Sequence, residues 1–472
     1  MTVRLVAGVD SSTQSTKVEV RDLDTGAVVG RGSAPHPRTT PPRSEQDPQA
    51  WWAAFEIAWA RAGIGAVEAI SVAGQQHGMV VLDADRQVVR PAKLWNDTET
   101  APDAGWLIKQ LDGGAADWAA AVGSVPVAAF TVTKLSWLHR SEPDNWARLA
   151  HVVLPHDWMT LRLTDELVTD RGDASGTGYW SAASGEYRFD VLSIIDKDRD
   201  WSTAVPRVAA PGEVVGHWNG AKVACGTGDN MAAALGLGLE PGVAVLSLGT
   251  SGTAYAVSDM PTADPSGAVA GFADASGRYL PLACTLNATK VTDAIGRLLG
   301  VDHAEFDRLA LAAPAGAGGV TILPYFDGER TPNLPKAAGL LAGLRSDVSR
   351  EQVARAAVEG VVCGLLDALD ALAARTPLEA VWLVGGGARS AAFRHVVAEL
   401  CDLPVSLADA EEAVATGACV QAAAATLDIS HSEVAHRWGL GKVTPLGAGT
   451  GDTAGVRARF AELRSTTHPS TA

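Results

Sequence analysis

Apolar and polar positions along the first thirty residues follow a pattern typical of β-strands. Apolar residues dominate 3–9, and two shorter strand-like runs follow at 18–21 and 27–32. The segment DLDTG separates the last two runs and predicts a tight hairpin. The chain is therefore expected to open with three strands, the first two joined by the polar segment GVDSSTQSTK.

The pattern then changes to a helical period in SEQDPQAWWAAFEIAWARAG. Asp47 is suited to cap this helix, and Pro48 fits its first position. A strand is predicted at 69–73, directly before GQQHG, and a later helix has a capping box formed by Ser349 and Gln352. Strands and helices alternate in this way along the chain, which predicts an α/β fold.

A second segment, VAVLSLGTSGTAYAVSD, repeats the design of the first hairpin. It also reads as strand, turn rich in glycine and hydroxyl groups, and strand. Laying one segment over the other places Thr13 on Thr250 and Thr16 on Thr253. We interpret this weak repeat as two related lobes, each contributing one hairpin loop to a shared cleft.

The boundary between the predicted lobes lies near Gly238. The division is into an N-terminal lobe, 1–237, and a C-terminal lobe, 238–472. The length of 472 residues agrees with more than one domain, because single hydrophobic cores stop growing at about 250–300 residues.

Composition narrows the class of protein. With 47% apolar and 19% charged residues, the chain has a globular composition, and its net charge of −16 argues against nucleic acid as a main partner. No uncharged apolar run reaches about 18 residues, so neither a membrane span nor a signal peptide is expected. The five cysteines show no C-x-x-C spacing. Free thiols and a cytoplasmic location are therefore expected.

Both hairpin turns could direct backbone N–H groups and hydroxyls at one phosphate. The alternative for either turn alone is ordinary polar punctuation between strands. The P-loop and dinucleotide fingerprints are absent. The later segment VGGGARS could lay glycines against a nucleotide, although strand-to-helix glycine turns are also common packing devices.

Asp10 and Asp229 each end a strand at a turn rich in glycine or hydroxyl groups. A carboxylate in that position suits Mg²⁺, and it also suits a base that accepts a proton from a hydroxyl nucleophile. For Asp229, at the predicted start of a helix, a simple capping role is the alternative. A helix N-terminus is expected to keep its carboxylate ionised.

The segments AGQQHG and LWNDTET contain several polar groups that could bind a polyhydroxylated ligand. His77 is bracketed by amides and glycine at a strand end, and Trp95, Asn96 and Asp97 follow soon after. A lone histidine is more often structural, and most tryptophans are packing residues.

Nine segments appear in an order that resembles the FGGY carbohydrate kinases. They are GVDSSTQSTK, SEQDP, AGQQHG, LWND, FTVTKLSWL, GTGDN, LSLGTSG, LPYFDGERTP and LVGGGARS. The segment GLLAGLRSDVSREQVARAAVEG also resembles the family's C-terminal signature. The resemblance runs from about Gly8 to Gly417 and implies the two-lobed actin/hexokinase-like (ribonuclease H-like) ATPase fold.

The resemblance also implies roles for individual residues. Asp229 matches the catalytic base, and Asp10 the second essential aspartate, near Mg²⁺ and the transferred phosphate. The remaining matched residues are Gln76, His77 and Asn230 on the sugar side, Thr13, Gly249 and Thr250 in the phosphate loops, and Gly386 and Gly387 on the adenosine side. Trp95, in LWNDTET, is a further candidate on the sugar side.

Two departures from the family pattern change the expected contacts. Ser12 stands where the family usually has glycine, which affects the first phosphate loop. Thr98 and Glu99 stand where many relatives have arginine after the WND aspartate, which affects one sugar contact.

The activity that the resemblance implies is ATP-dependent phosphorylation of D-xylulose to D-xylulose 5-phosphate. ATP, Mg²⁺ and a sugar are the expected ligands, with no nucleic acid or membrane partner, and a homodimer is allowed for. Two alternatives stay open: a kinase of the same family for ribulose or glycerol, and a catalytically inactive, sugar-responsive binding protein. A chaperone-type ATPase is disfavoured, because no peptide-binding module or lid fits in the remaining length.

Overall fold

The computed structural model describes residues 3–63, 65–447, 453 and 455–469. Its strands are β1 Leu5–Ser11, β2 Ser15–Asp22, β3 Val28–Pro35, β4 Glu45–Gln46, β5 Ala69–Gly74, β6 Val80–Leu82, β7 Ala92–Lys93, β8 His151–Val153, β9 Val168–Asp170, β10 Trp180–Ser181, β11 Glu186–Tyr187, β12 Arg207–Ala209, β13 Val214–Trp218, β14 Ala221–Ala224, β15 Thr227–Gly228, β16 Gly242–Leu248, β17 Gly252–Ala256, β18 Ala270–Ala273, β19 Tyr279–Thr285, β20 Thr321–Leu323, β21 Leu340–Ala342, β22 Leu378–Val384, β23 Val405–Ala408 and β24 Val443–Pro445.

The α-helices are α1 Pro48–Ala62, α2 Ala101–Ile108, α3 Ala115–Val122, α4 Thr131–Ser141, α5 Pro143–Arg148, α6 Pro155–Thr164, α7 Arg171–Ser175, α8 Phe189–Leu192, α9 Asp229–Gly236, α10 Thr289–Leu299, α11 His303–Ala312, α12 Arg350–Ala373, α13 Ala391–Leu400, α14 Ala413–Leu427, α15 His431–Arg437 and α16 Val456–Thr467. Short 3₁₀ turns cover Ala317–Gly319 and Gly386–Arg389.

The chain folds into two compact units. The first contains the described residues up to Leu239 together with Ser258–Leu280 and Ala410–Gly441. The second contains Glu240–Val257, Pro281–Asp409 and the described residues from Lys442 onward. Two later segments of the chain therefore pack with the first unit.

The sheets of the two units share one topology. In the first unit the strand order is β3-β2-β1-β5-β14-β13, and in the second unit it includes β19-β17-β16-β22-β23-β24. In both series the first two pairings are antiparallel, the next two parallel and the last antiparallel. The repeated sheet confirms the predicted α/β class with two related lobes.

Opposite faces of β1 pack against different helices, because successive strand side chains alternate in direction. Ala7 and Val9 belong to the core cluster that contains Trp51 of α1, whereas Val6 belongs to the cluster that contains Cys419 of α14. At Gly8 a Cβ would lie 2.1 Å from the Ala415 carbonyl oxygen, so only glycine lets β1 approach α14 this closely.

Helix termini follow the sequence signals. The Asp47 side chain accepts from the Gln49 N–H, with Pro48 at the first position of α1. Ser349 and Gln352 form the capping box of α12, a helix of 24 residues. Among the described residues no single helix is long and apolar enough to cross a membrane; α14 and α15 satisfy length and composition only as a pair bent by 107°.

The first hairpin differs from its sequence prediction in one respect that matters for the site. β1 extends through Ser11 and β2 begins at Ser15, so Asp10 lies within the paired strand, opposite Lys17. In the second hairpin Ser247 pairs with Thr253 and Leu248 with Gly252. The first turn is therefore one residue longer, and the superposition of Thr16 on Thr253 is wrong by one position.

Candidate active site

The two predicted carboxylates lie at one edge of the first unit's sheet, on either side of β5. Asp10 of β1 pairs with Ala73 of β5, and Thr227 of β15 pairs with Ala73 from the opposite side. Asp229 follows β15 directly and begins α9. Because parallel strands end at the same sheet edge, the register brings together groups that are 219 residues apart in the sequence.

Burial controls the charge of this pair. Burial, and next the negative charges of Asp10 and Asp173, raise the pKa of Asp229 to about 8, although Asp229 keeps some solvent contact. Burial likewise raises the pKa of Asp10 to about 6, against the opposing effects of the Ser12 hydroxyl and Lys17. The favourable charge at the N-terminus of α9 is thus not sufficient to keep the pKa of Asp229 in its usual range. Neighbouring carboxyls with raised pKa values are typical of sites that bind a cation or transfer a proton.

Asn230 connects Asp229 to the strand end of β5. Its Nδ2 donates to Gln76 Oε1 at 2.6 Å and to Asp229 Oδ1 at 3.0 Å. The Gln76 Nε2 is buried and has no hydrogen-bond partner among the described residues. Because a buried amide without a partner is costly, this N–H₂ group is suited to receive a ligand oxygen. A Cβ at Gly228 would lie 2.7 Å from Gln76 Cγ, so glycine at this position leaves room for the amide.

His77 is held in an unusual backbone conformation between two aromatic rings. Its φ is 64°, which lies in the left-handed region that residues other than glycine rarely adopt. The imidazole lies 5.0 Å from the Phe130 ring and 5.3 Å from the Phe272 ring. A Cβ at Gly176 would lie 2.2 Å from the imidazole ring. Positive φ at the end of a strand is the kind of local strain that clusters at functional sites.

Trp95 and Thr13 are in direct contact, although the sequence assigned them to different ligands. The Trp95 Nε1–H donates to Thr13 Oγ1 at 2.9 Å, and the Thr13 hydroxyl donates to Gln75 Oε1 at 3.1 Å. Trp95 keeps 36% of its surface exposed. The predicted sugar side and the first phosphate turn are therefore one connected surface within the first unit.

The residues that depart from the family pattern have defined partners. The Ser12 hydroxyl donates to Asp10 Oδ1. Glu99 accepts from Lys93 at 2.8 Å and pairs with Arg43 at 3.0 Å, so its carboxylate is engaged within the protein. The Thr98 N–H donates to the Pro42 carbonyl oxygen.

One acidic cluster, close to Trp95 in the sequence, already holds a buried lysine. Carboxylate oxygens of Glu45, Asp97 and Glu99 lie close enough together to hold a metal ion. The fully buried Lys93 ammonium occupies their centre, 3.1 Å from Glu45 and 2.8 Å from each of the other two. The lysine and two arginines, Arg90 beside Glu45 and Arg43 beside Glu99, supply the positive charge that these carboxylates need.

Sequence reasoning missed two polar residues at this edge. Gln75, which accepts from Thr13, lies in the motif AGQQHG directly before the predicted residues Gln76 and His77. Lys17 faces Asp10 across the β1–β2 ladder and pairs with Glu412 at 2.5 Å. The alternation of a paired strand could have indicated Lys17, whereas nothing local in the sequence indicates its contact with Glu412.

In the second unit an open pocket of about 870 Å³ brings together Gly249, Thr250, Gly386 and Gly387. Its wall also includes Thr289, Arg297, Phe306, Arg389 and Phe393. A Cβ at Gly387 would lie 2.7 Å from Thr289 Cγ2 and 2.9 Å from Leu248 Cβ, whereas at Gly386 there is open space. A pocket with glycines, hydroxyls, arginines and aromatic rings can hold a molecule that has both an anionic and a planar apolar part.

Comparison with known proteins shows the family to which the chain belongs. The model of the FGGY family of carbohydrate kinases, N-terminal domain, matches residues 5–240, and that of the C-terminal domain matches residues 244–426. The chain therefore belongs to the FGGY family of carbohydrate kinases. Members of such a family are sugar kinases that use ATP, usually with a divalent metal.

Individual relatives agree with this membership. The chain is 50% identical over 447 residues to the xylulose kinase of Streptomyces coelicolor, covering 92% of this chain and 90% of that protein. It is 48% identical over 447 residues to the xylulose kinase of Streptomyces rubiginosus, with the same coverage. The crystal structure of xylulose kinase from Bifidobacterium adolescentis has a TM-score of 0.86 and 40% identity, covering 98% of this chain and 100% of that chain.

Proposed function

We propose that this carbohydrate kinase transfers the γ-phosphoryl group of ATP to the primary hydroxyl of D-xylulose, giving D-xylulose 5-phosphate. The observation that carries the proposal is the joint position of Asp10, Asp229, Gln76 and Asn230 at one sheet edge. The two Streptomyces xylulose kinases, at 50% and 48% identity over most of their length, support D-xylulose as the sugar.

In this proposal Asp229 is the general base. Its carboxylate accepts the proton of the attacking hydroxyl, and a raised pKa suits a base that operates near neutral pH. Asn230 orients that carboxylate through its hydrogen bond to Oδ1. The attacking oxygen thereby gains nucleophilicity as it loses its proton, and no covalent intermediate with the protein is needed.

Gln76, His77, Trp95 and Asn230 hold the sugar. The buried Gln76 amide supplies a donor, and the His77 ring, wedged between two phenylalanines, gives the pocket a fixed polar wall. Trp95 offers an exposed indole face for the apolar side of the sugar. A site that pairs several hydroxyls discriminates against a ligand that lacks them, because its own polar groups are then left unpaired.

Thr13, Gly249 and Thr250 bind the phosphates, and Gly386 and Gly387 border the adenosine. Asp10 would hold Mg²⁺. The raised pKa values of Asp10 and Asp229 fit such a cation, since both carboxyls are short of positive charge. When bound, Mg²⁺ neutralises charge on the transferred phosphate.

We assign the sugar and the first phosphate loop to the predicted lobe 1–237, and the second phosphate loop and the adenosine to the predicted lobe 238–472; this division stays a prediction. A cytoplasmic location, a homodimeric state and the absence of nucleic acid and membrane partners stay predictions.

The proposal is tested by ADP release with D-xylulose, D-ribulose and glycerol, each at saturating Mg-ATP. D-xylulose should give the highest kcat/KM and glycerol a poor one. If D-ribulose or glycerol exceeds D-xylulose, the substrate assignment is wrong while the reaction stands. If no sugar or polyol stimulates ADP release, the alternative of an inactive, sugar-responsive binding protein gains support.

A further inference from the structure

A buried group of four ionisable side chains lies inside the first unit, outside the residues assigned above. His156 of α6 has its Nδ1 2.8 Å from Asp173 Oδ2. Its Nε2 lies 3.2 Å from Asp157 Oδ1 and 3.7 Å from Asp170 Oδ1. Each of the four residues has at most 2% of its surface exposed. Burying three acidic groups is unfavourable unless a cation compensates them.

This group supports the two strand ends that carry the site. A Cβ at Gly74, the last residue of β5, would lie 2.8 Å from the His156 backbone nitrogen. A Cβ at Gly226, directly before β15, would lie 2.8 Å from His156 Cδ2. The Thr227 hydroxyl in β15 donates to Asp170 Oδ2 at 2.7 Å. Gln76 and Asp229 each lie two residues beyond one of these contacts.

The surrounding charges favour an imidazolium. Burial lowers the pKa of His156, but the charges of Asp157, Asp173 and Asp170 outweigh it and raise that pKa to about 9. Burial raises the pKa of Asp157 to about 7 and also raises the pKa of Asp170.

Further ionisable groups interact electrostatically with these carboxylates: the phenols of Tyr179 and Tyr187, the thiol of Cys225 and the carboxyl of Asp229. The pKa values of both phenols and of the thiol are raised, first by burial, so these three groups are neutral at pH 7. His156 is therefore the cation available to this cluster among the ionisable groups that face it.

We infer that His156 is a positioning residue of the kinase reaction: a buried imidazolium that neutralises Asp173 and fixes the strand ends bearing Gln76 and Asp229. The inference rests on the proposed function, in which Asp229 is the base. The charges that act on Asp229 come from Asp10 and Asp173. Loss of the imidazolium leaves Asp173 uncompensated, so a smaller fraction of Asp229 is ionised at neutral pH.

The charge of His156 is tested first in the unmodified enzyme. Imidazole ¹⁵N and ¹³C shifts should show a doubly protonated ring at pH 7 that titrates only well above neutrality. A neutral His156 ring at pH 7 would overturn the inference whether or not any variant folds.

Three variants then test its role in turnover. His156→Gln should lower kcat/KM for the sugar at pH 7 by about tenfold for each unit by which the base's pKa rises. Raising the pH should recover that loss. His156→Lys retains a cation, and His156→Gln combined with Asp173→Asn removes both charges, so each should restore most of the activity. A purely structural role predicts neither the recovery at higher pH nor the rescue, and their absence would overturn the inference.

Asp229→Asn separates this inference from the proposed function. If that variant stays active, the assignment of the base fails, whatever His156 does. If Asp229→Asn is inactive while His156→Lys gives no rescue, only the role of His156 fails.

Discussion

The β1–β2 and β16–β17 hairpins occupy the same place in two sheets of the same topology, yet they are stabilised differently. A backbone bond closes each turn, from the Ser12 N–H to the Ser15 carbonyl oxygen in the first and from the Gly249 N–H to the Ser251 carbonyl oxygen in the second. The first turn adds bonds between side chains: Ser12 donates to Asp10, and Thr13 bonds with Gln75 and Trp95. The second turn adds a backbone bond from the Thr289 N–H to the Gly249 carbonyl oxygen.

The ladders show where the two hairpins diverge chemically. Asp10 opposite Lys17 in the first corresponds to Ser247 opposite Thr253 in the second. One copy of the repeated sheet therefore carries a buried carboxylate at the strand end, and the other carries a small hydroxyl beside an open pocket. The shared topology supplies the framework. In the proposed function, a few residue differences at equivalent positions separate carboxylate chemistry in the first hairpin from nucleotide binding in the second.

Removing the carboxylate of the first hairpin is expected to have the largest effect on activity. Asp10→Asn should reduce kcat by about 10²-fold or more, as expected when a group that stabilises the phosphoryl-transfer transition state is lost. The matched variant Ser247→Ala, at the equivalent ladder position, should change kcat far less. A Mg²⁺ titration of both variants checks this. Equal kcat values and equal metal dependence in the two would contradict the division of roles.

His77→Ala tests the sugar side of the first unit. Loss of a hydrogen-bonding imidazole should raise the KM for D-xylulose by about tenfold, corresponding to roughly one hydrogen bond, and narrow the preference over glycerol. ATP hydrolysis without sugar should change little. Gly176→Ala is a second variant, which displaces the imidazole with a methyl group and does not remove it.

Gly176→Ala should likewise raise the sugar KM, because the ring must shift. Steady-state kinetics of both variants with D-xylulose and with glycerol measure these changes in KM. A normal KM in His77→Ala would assign the ring a packing role only.

Substitutions at two adjacent glycines of the second unit should differ in their effect on stability. Gly387→Ala should lower the free energy of unfolding by about 1–3 kcal/mol, the range for overpacking, since its Cβ would crowd Leu248 and Thr289. Gly386→Ala has open space for its Cβ and should keep the stability. Denaturant unfolding separates the two, and ATP titrations should show weaker binding in both. Unchanged ATP affinity in both variants would remove these glycines from the nucleotide site.

The smallest effect is expected at Ser12, where the family usually has glycine. Ser12→Gly removes the hydroxyl that lowers the Asp10 pKa, so the pKa of Asp10 should rise further. Activity at neutral pH should fall by less than about tenfold, corresponding to less than one pKa unit. A pH profile of kcat measures this effect. A loss as large as that of Asp10→Asn would mean that Ser12 itself contacts the phosphate.

Local signals predicted much of the fold. The Asp47 cap and the capping box of Ser349 and Gln352 follow from side chains that bond within a few residues. The start of α9 at Asp229 was also predicted, although no side chain caps that helix. The ends of the strands were predicted less accurately. Asp10 and Ser11 look like turn residues in sequence, whereas the antiparallel ladder includes both.

Contacts between distant segments could not be predicted in this way. The cluster around His156 joins α6 to residues at the start of α7, and Lys17 meets a glutamate 395 residues away. Neither leaves a periodicity or spacing in the sequence. The predicted site residues were found because family motifs mark them, while the charges that tune Asp229 depend on packing that only the folded chain shows.

Asp229→Asn tests the central claim most directly when sugar binding and turnover are measured on the same preparation. Calorimetric titration should show D-xylulose binding close to that of the unmodified enzyme, while kcat falls by about 10²–10⁴-fold, the contribution typical of a general base. Near-normal kcat in the Asn variant would contradict the account and leave Asp229 as the first residue of a helix and nothing more.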